Sequence, residues 1–210
     1  MSPRSDPVAP PRAHLPFLAL LAVSLLGTLA LGWGTWGAPL VSEDSSAVAY
    51  VHDFGPFADF ARTQYDLRTV RFWRPLVTFG LGLQEWLVGG QALGLRLANL
   101  LFHALAAALA GAIAQALGLR RAGAIVALAW ALTFPFLGGT AHWVVGRVDS
   151  QCLPFVLACS WAALVGRPRM AALFALAALG TKESGAVAPA VATVLLLGRG
   201  DPPRAVGAAV

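Results

Sequence analysis

Uninterrupted apolar runs are the feature that most restricts what this chain can fold into. Residues 16–40 and 93–117 are each long enough to cross the hydrocarbon layer of a membrane as one helix. Shorter apolar runs fill much of the remaining sequence. Charged residues make up 12% of the chain, about half the share of a typical soluble domain. We therefore expect an all-α, polytopic transmembrane bundle of about five to six membrane segments.

Polar breaks between these runs predict the domain organisation. We expect a disordered cytoplasmic tail at 1–15, a first transmembrane helix at 16–40, an outer loop with interfacial helices at 41–90, a transmembrane bundle at 91–198 and a cytoplasmic end at 199–210. A signal peptide is the alternative for 16–40, but the run is long for one and ends in an aromatic belt, GWGTWG. So few apolar segments also predict that the sequence is a truncated piece of a longer protein.

The placement of basic residues predicts orientation. Arginine pairs occupy the short turns at 118–123 and 166–169 and the two ends of the chain, whereas nearly all acidic residues fall in the alternate segments. By the positive-inside rule, this indicates a multi-pass protein of the inner (cell) membrane with its N-terminus in the cytoplasm. The formal net charge is +5, but no basic patch with interleaved aromatics exists, which argues against nucleic-acid binding.

The weakest predicted span is 170–179, which would be about 15 Å long as a helix against a hydrocarbon core of roughly 30 Å. It is either a short helix beside a cavity that opens outward, which we favour, or part of one kinked span over 170–198. A charged pair, Lys182 and Glu183, ends it, and charges at the centre of a bilayer are costly.

Four polar clusters are predicted on the same, outer side: Glu43 with Asp44, Arg74, residues 142–149, and Lys182 with Glu183. Carboxylates can act as a general base or bind a cation, and arginine and lysine can hold a phosphate. Such a combination suits group transfer from a lipid-linked phosphate, with the cations stabilising the charge that grows on the leaving phosphate.

Several segments resemble one family of membrane enzymes. RFWRPLVTFG, with Asn99 and His103 in the helix that follows, AHWVVGRVDSQC and LGTKESGAVAP are similar in order and spacing to motifs of GT-C membrane glycosyltransferases. Among these, the transmembrane O-mannosyltransferases with tetratricopeptide repeats and their bacterial relatives are the most similar in pattern. The resemblance covers about residues 35–200 and implies sugar transfer from a polyprenyl-phosphate carrier to a hydroxyl at the extracytoplasmic face.

The resemblance also implies roles for individual residues. The family's acidic pair falls on Glu43 and Asp44, of which Asp44 is the favoured catalytic residue. A divalent cation at Asp44 remains open, and no metal site is assigned. The other implied roles are donor-phosphate binding by Arg74, Arg147 and Lys182, and support from His103, His142, Asp149 and Glu183.

Structural alternatives exist for each of these residues. Glu43 and Asp44 could form a solvated helix cap, His103 could be a packed histidine, and Arg147 could pair with Asp149 across a turn. A transporter segment and a non-catalytic fragment are the rival functions, although no internal repeat supports a transporter. Cys152 and Cys159 lie two helical turns apart, too far for a disulfide.

Overall fold

The computed structural model of the chain describes residues 14–41, 43–61, 72–202 and 207. Its regular elements are all helical, as expected. Two 3-10 turns, Trp33–Thr35 and Glu183–Val187, accompany ten α-helices in these ranges. The helices are α1 Phe17–Gly32, α2 Asp44–Phe54, α3 Ala58–Ala61, α4 Pro75–Val88, α5 Ala92–Ala116, α6 Arg121–Thr133, α7 Pro135–His142, α8 Arg147–Leu164, α9 Pro168–Thr181 and α10 Ala188–Arg199.

Two helical stretches are long and apolar enough to cross a membrane, Phe17–Thr35 and Ala92–Ala116. They coincide with the two longest predicted spans. The other predicted spans correspond to shorter or less apolar helices. α9 is longer than the predicted 170–179, but its 14 residues extend only about 21 Å.

The longest helix, α5, organises the bundle. The start of α1 meets the end of α5, where the Leu15 backbone N–H donates to Gln115 Oε1 at 2.6 Å. α6 runs back along α5, because His103 Nε2 lies 3.2 Å from the Leu132 carbonyl oxygen. A Cβ on Gly111 would stand 3.2 Å from the carbonyl oxygen of Ala124, so small residues allow this close packing. α1 and α6 are therefore antiparallel to α5.

The second half of the bundle packs on α8, which is parallel to α5. Cys152 Sγ lies 3.7 Å from the Ala178 carbonyl oxygen, so α9 returns antiparallel to α8. Arg199 Nη1 donates to the Leu164 carbonyl at 2.6 Å, so α10 ends beside the end of α8. Both cysteines are buried and reduced. Alanines dominate the shared core of α8, α9 and α10.

These directions give the bundle two chemically different ends. We call one the arginine end, because the ends of α5, α8 and α10 and the starts of α6 and α9 bring Arg120, Arg121, Arg167, Arg169 and Arg199 to it. The opposite, polar end contains the starts of α5 and α8 and the end of α9. Seven of the acidic residues in the described ranges belong to the polar end or to the helices that cap it: Glu43, Asp44, Asp53, Asp59, Glu85, Asp149 and Glu183.

Helices α2 to α4 form a cap over the polar end. Buried residues of α2 and α4 pack against Leu95 and Val144. Asp59 is buried and accepts hydrogen bonds from the Tyr50 hydroxyl at 2.7 Å and the Thr78 hydroxyl at 2.6 Å. Gly55, with φ of 77°, ends α2, because this backbone conformation favours glycine.

Some predicted boundaries differ from the structure. The apolar run 122–137 is interrupted at Phe134, because Pro135 begins the separate short helix α7. The polar cluster predicted at 142–149 lies partly in helices, because α7 continues to His142 and α8 already begins at Arg147. The outer loop predicted at 41–90 contains α2, α3 and α4, and its residues 42 and 62–71 lie outside the described residues.

Candidate functional site

Arg147 is the most buried cation of the polar end and fixes its geometry. Its Nε donates to Asn99 Oδ1 at 3.0 Å and its Nη2 to the Leu95 carbonyl at 2.7 Å. Asn99 Nδ2 in turn donates to the carbonyls of Trp143 at 2.7 Å and Val144 at 3.1 Å. A buried charge requires such partners. The segment between α7 and α8 is thereby attached to the first turns of α5.

Arg96 attaches a second segment to α5. Its guanidinium donates from Nε to the His142 carbonyl at 2.9 Å, from Nη2 to the Pro39 carbonyl at 2.5 Å, and from Nη1 to the Ala38 carbonyl. The five donors of a guanidinium suit a cluster of carbonyls from separate segments. Arg96 therefore holds the chain that leads from α1 to α2 beside the end of α7.

Asp44 and Glu43 occupy different environments at the start of α2. Asp44 is fully buried, and both of its oxygens accept backbone hydrogen bonds, Oδ2 from Val41 at 3.1 Å and Oδ1 from Val145 at 3.0 Å. Glu43 is exposed and makes no side-chain cap to the helix. The alternative of a solvated helix cap therefore does not describe this pair: Glu43 is exposed but makes no cap, and Asp44 is buried and connects the start of α2 to its neighbours.

Two ion pairs join α4, α8 and the segment after α9. Arg74 Nη2 lies 3.3 Å from Glu183 Oε2, and Lys182 Nζ pairs with Asp149 Oδ1. Asp149 lies in the first turn of α8. The structure thus contradicts the alternative in which Arg147 pairs with Asp149, because Arg147 turns inward to Asn99 while Asp149 reaches Lys182.

The pKa of Glu183 reflects this environment. Partial burial tends to raise the pKa, but a backbone N–H, the hydrogen bond from Arg74, and the positive charges of Arg74 and Lys182 outweigh it. The pKa of Glu183 therefore lies below its ordinary value. Glu183 is ionised at neutral pH and balances the charge of Arg74.

A small cavity of about 70 Å³ lies beside these groups. Glu43 and Arg74 supply its charged wall, and its other walls are Ala47, Phe72, Val77, Leu81, Val144, Val145 and Val148. The Arg74 guanidinium stands 4.0 Å from the centre of the Phe72 ring. Within the described ranges, Arg74 Nε and Arg147 Nη1 are buried without a hydrogen-bond partner. Of these two residues, Arg74 lines the cavity, and its unfilled donor favours an oxygen-rich ligand there.

The two predicted supporting histidines lie away from this cavity. His103 is buried in α5 against the Leu132 carbonyl, as in the packed-histidine alternative. His142 Nδ1 lies 3.0 Å from the Thr35 hydroxyl, on the side of α1. Burial, followed by the charge of Arg96, lowers the pKa of His142. Both histidines therefore connect helices, and neither lines the cavity.

Sequence reasoning missed two parts of this site. Arg96 is a charge within the apolar run 93–117, and that position was the available signal. Gly146 is the other, because a Cβ at this position would stand 2.3 Å from the Thr140 carbonyl oxygen. Only glycine allows the chain to pass so close to α7 immediately before Arg147.

The residues present do not by themselves define a metal centre. Within the described ranges, no group of three or more His, Cys, Asp or Glu side chains is arranged to hold a metal ion. The polar end contains both cations, which can bind an anion, and carboxylates, which can accept a proton. No protein-family model, curated protein or solved structure matches this chain, so its site chemistry is the guide to its function.

Proposed function

We propose that the chain is a multi-pass membrane glycosyltransferase of GT-C type, which transfers a sugar from a polyprenyl-phosphate donor to a hydroxyl acceptor. The observation that carries this proposal is the convergence of Glu43, Arg74, Asp149, Lys182 and Glu183 at one end of an apolar bundle. Charged side chains within a membrane bundle are costly and often mark functional sites. The resemblance of the three sequence segments supports the same reaction.

In this proposal, the reaction runs through the cavity beside Arg74. The acceptor oxygen attacks the anomeric carbon of the donor sugar, the bond from that carbon to the phosphate oxygen breaks, and the polyprenyl phosphate leaves. A carboxylate takes the proton of the acceptor hydroxyl. Arg74 and Lys182 bind the departing phosphate and stabilise its growing charge.

We assign the proton-accepting role in this proposal to Glu43, although the resemblance favoured Asp44. Both oxygens of Asp44 already accept backbone hydrogen bonds and its side chain is inaccessible, whereas Glu43 reaches the cavity. Asp44 is then a positioning residue that sets the turn carrying Glu43. Arg147 acts on this turn indirectly, because it holds Asn99, which binds the segment whose Val145 N–H donates to Asp44.

Transfer can be measured with the full chain in membranes that contain a polyprenyl-phosphate sugar and a hydroxyl acceptor. We expect Glu43→Gln and Lys182→Ala each to reduce the rate of transfer at least about a hundredfold. This is the smallest effect usual for loss of a general base or of a group that stabilises transition-state charge. Glu85→Gln is the matched control, because Glu85 pairs with His52 at 3.2 Å outside the cavity. Full transfer by both site variants would contradict the proposal.

The proposed topology places the polar end in the periplasm or exterior and the arginine end in the cytoplasm. Cysteines introduced at Glu43 and at Arg120 test it with a membrane-impermeant thiol reagent, since the native cysteines are buried. We expect Glu43→Cys to react from outside intact cells and Arg120→Cys only after permeabilisation. Labelling of both from the same side would exclude this arrangement.

A further inference from the structure

A groove at the arginine end is separate from the site just described. It has a volume of about 320 Å³, within the usual size range of small-molecule sites. Its walls come from the start of α1, the end of α5 and the end of α8, and include Leu20, Ala112, Ala116, Trp161 and Val165. The groove therefore opens where α1 begins and where α5 and α8 end.

The lining of this groove is apolar in character. Gln115 is its buried polar member, and its amide is already occupied, since Oε1 accepts from the Leu15 N–H at 2.6 Å and Nε2 donates to the Leu15 carbonyl at 3.4 Å. His14 stands exposed at the mouth. An occupant of the groove therefore gains from hydrophobic contact, and a hydrocarbon chain satisfies its walls.

The surroundings of the mouth are strongly basic. Arg120 follows the end of α5 by four residues, and Arg167 and Arg169 follow Val165 of the groove wall by two and four residues. All three arginines are exposed. Among the acidic residues of the described ranges, Asp201 alone belongs to this end, and it is held by Arg199. An occupant with a negative headgroup therefore meets uncompensated positive charge.

We propose that this groove binds an anionic phospholipid. One acyl chain lies against Ala116 and Trp161, and the phosphate is held by the arginines of the two adjacent turns. A zwitterionic lipid offers the same chain but a neutral headgroup, so the arginines provide the selectivity. Basic residues next to apolar helices attract anionic lipids with about 1 kcal/mol for each arginine, or about fivefold in affinity.

Native mass spectrometry of the full chain, released from detergent micelles, tests this proposal. The probes are dioleoyl phosphatidylglycerol and dioleoyl phosphatidylcholine, added in equal amounts. We expect bound phosphatidylglycerol to exceed phosphatidylcholine at least about fivefold in the wild-type protein. The double variant Arg120→Gln/Arg167→Gln should lower the ratio of bound phosphatidylglycerol to bound phosphatidylcholine severalfold, and Arg169 should retain a residual preference. Both arginines are exposed, so their replacement leaves the helix packing unchanged.

A second variant tests the acyl-chain position. Ala116→Phe fills the groove and should reduce binding of both lipids severalfold, whereas Ala172→Phe, on an exposed position of α9 near the same end, should leave binding unchanged. Equal binding of the two lipids to the wild-type protein would overturn the proposal. A wild-type protein that binds neither lipid would also overturn it. No sugar donor is present, so the result is independent of the proposed transfer reaction.

Discussion

Replacement of Asp44 by asparagine separates a structural role of this residue from a catalytic one. The carboxylate accepts two backbone hydrogen bonds, from Val41 and from Val145, in a fully buried position. An asparagine keeps one acceptor oxygen but presents an NH₂ group where the second oxygen stood. That NH₂ group would face a backbone N–H, so one buried donor would lose its partner.

The cost follows from these two contacts. A hydrogen bond to a charged group contributes about 1.5–3 kcal/mol, and an unsatisfied buried donor costs about 1–3 kcal/mol. The two contributions overlap, because they concern the same N–H, so we expect Asp44→Asn to destabilise the protein by about 2–4 kcal/mol. The segments on either side of the lost bond, before α2 and before α8, should loosen first.

The assay is thermal unfolding of the purified protein in detergent, with sugar transfer measured on the same preparations. Asp53→Asn is the matched control, because Asp53 is an exposed residue of the same helix and exposed substitutions change stability by about 0.5 kcal/mol or less. Glu43→Gln should resemble Asp53→Asn in stability but lose transfer. If Asp44→Asn proves as stable as Asp53→Asn and loses transfer, Asp44 is the catalytic carboxylate and the structural reasoning is refuted.

Three further substitutions test the polar end. Arg147→Met should cost about 2 kcal/mol, because it leaves the buried Asn99 Oδ1 without its donor; unchanged thermal unfolding would contradict this. Arg96→Gln should expose the segment before α2 to limited proteolysis, since the shorter amide cannot bridge carbonyls from two segments. Glu183→Gln should lower the free energy of unfolding by less than about 1 kcal/mol, because the Glu183 side chain is 55% exposed. This contribution is present above the unfolded pKa of about 4.3 and is lost as pH falls through the lowered folded pKa. A stability difference from wild type that persists at pH 2 would show that Arg74 and Glu183 interact otherwise.

The sequence alone predicted the helical class, the two longest apolar helices and the grouping of the charged clusters. Residues 16–40 and 93–117 are apolar over a length typical of a membrane-spanning helix, so their prediction required no tertiary information. Segregation of Asp149 and Lys182 from Arg120 followed from the alternation of charge along the chain. The number of membrane spans and the function remain predictions.

The hydrogen-bond and ion-pair partners within the site could not be predicted from the sequence in the same way. Which oxygen of Asp44 meets which N–H depends on how α2 docks on the segment before α8, a contact across a hundred residues. The partner of Arg147 depends on the rotation of α8 about its axis, which a weakly amphipathic helix does not specify locally. Tertiary packing determines both contacts. The sequence pattern alone is compatible with Arg147 pairing either with Asn99 or with Asp149.

The two ion pairs of the polar end have a consequence for any anionic ligand. Arg74 and Lys182 already hold Glu183 and Asp149, so an arriving phosphate exchanges one carboxylate for another oxyanion instead of entering a vacant positive field. Such an exchange yields little net electrostatic energy. Tight retention of a lipid-linked donor at this end would therefore have to come from its hydrocarbon tail, which the polyprenyl phosphate released in the proposed reaction still carries.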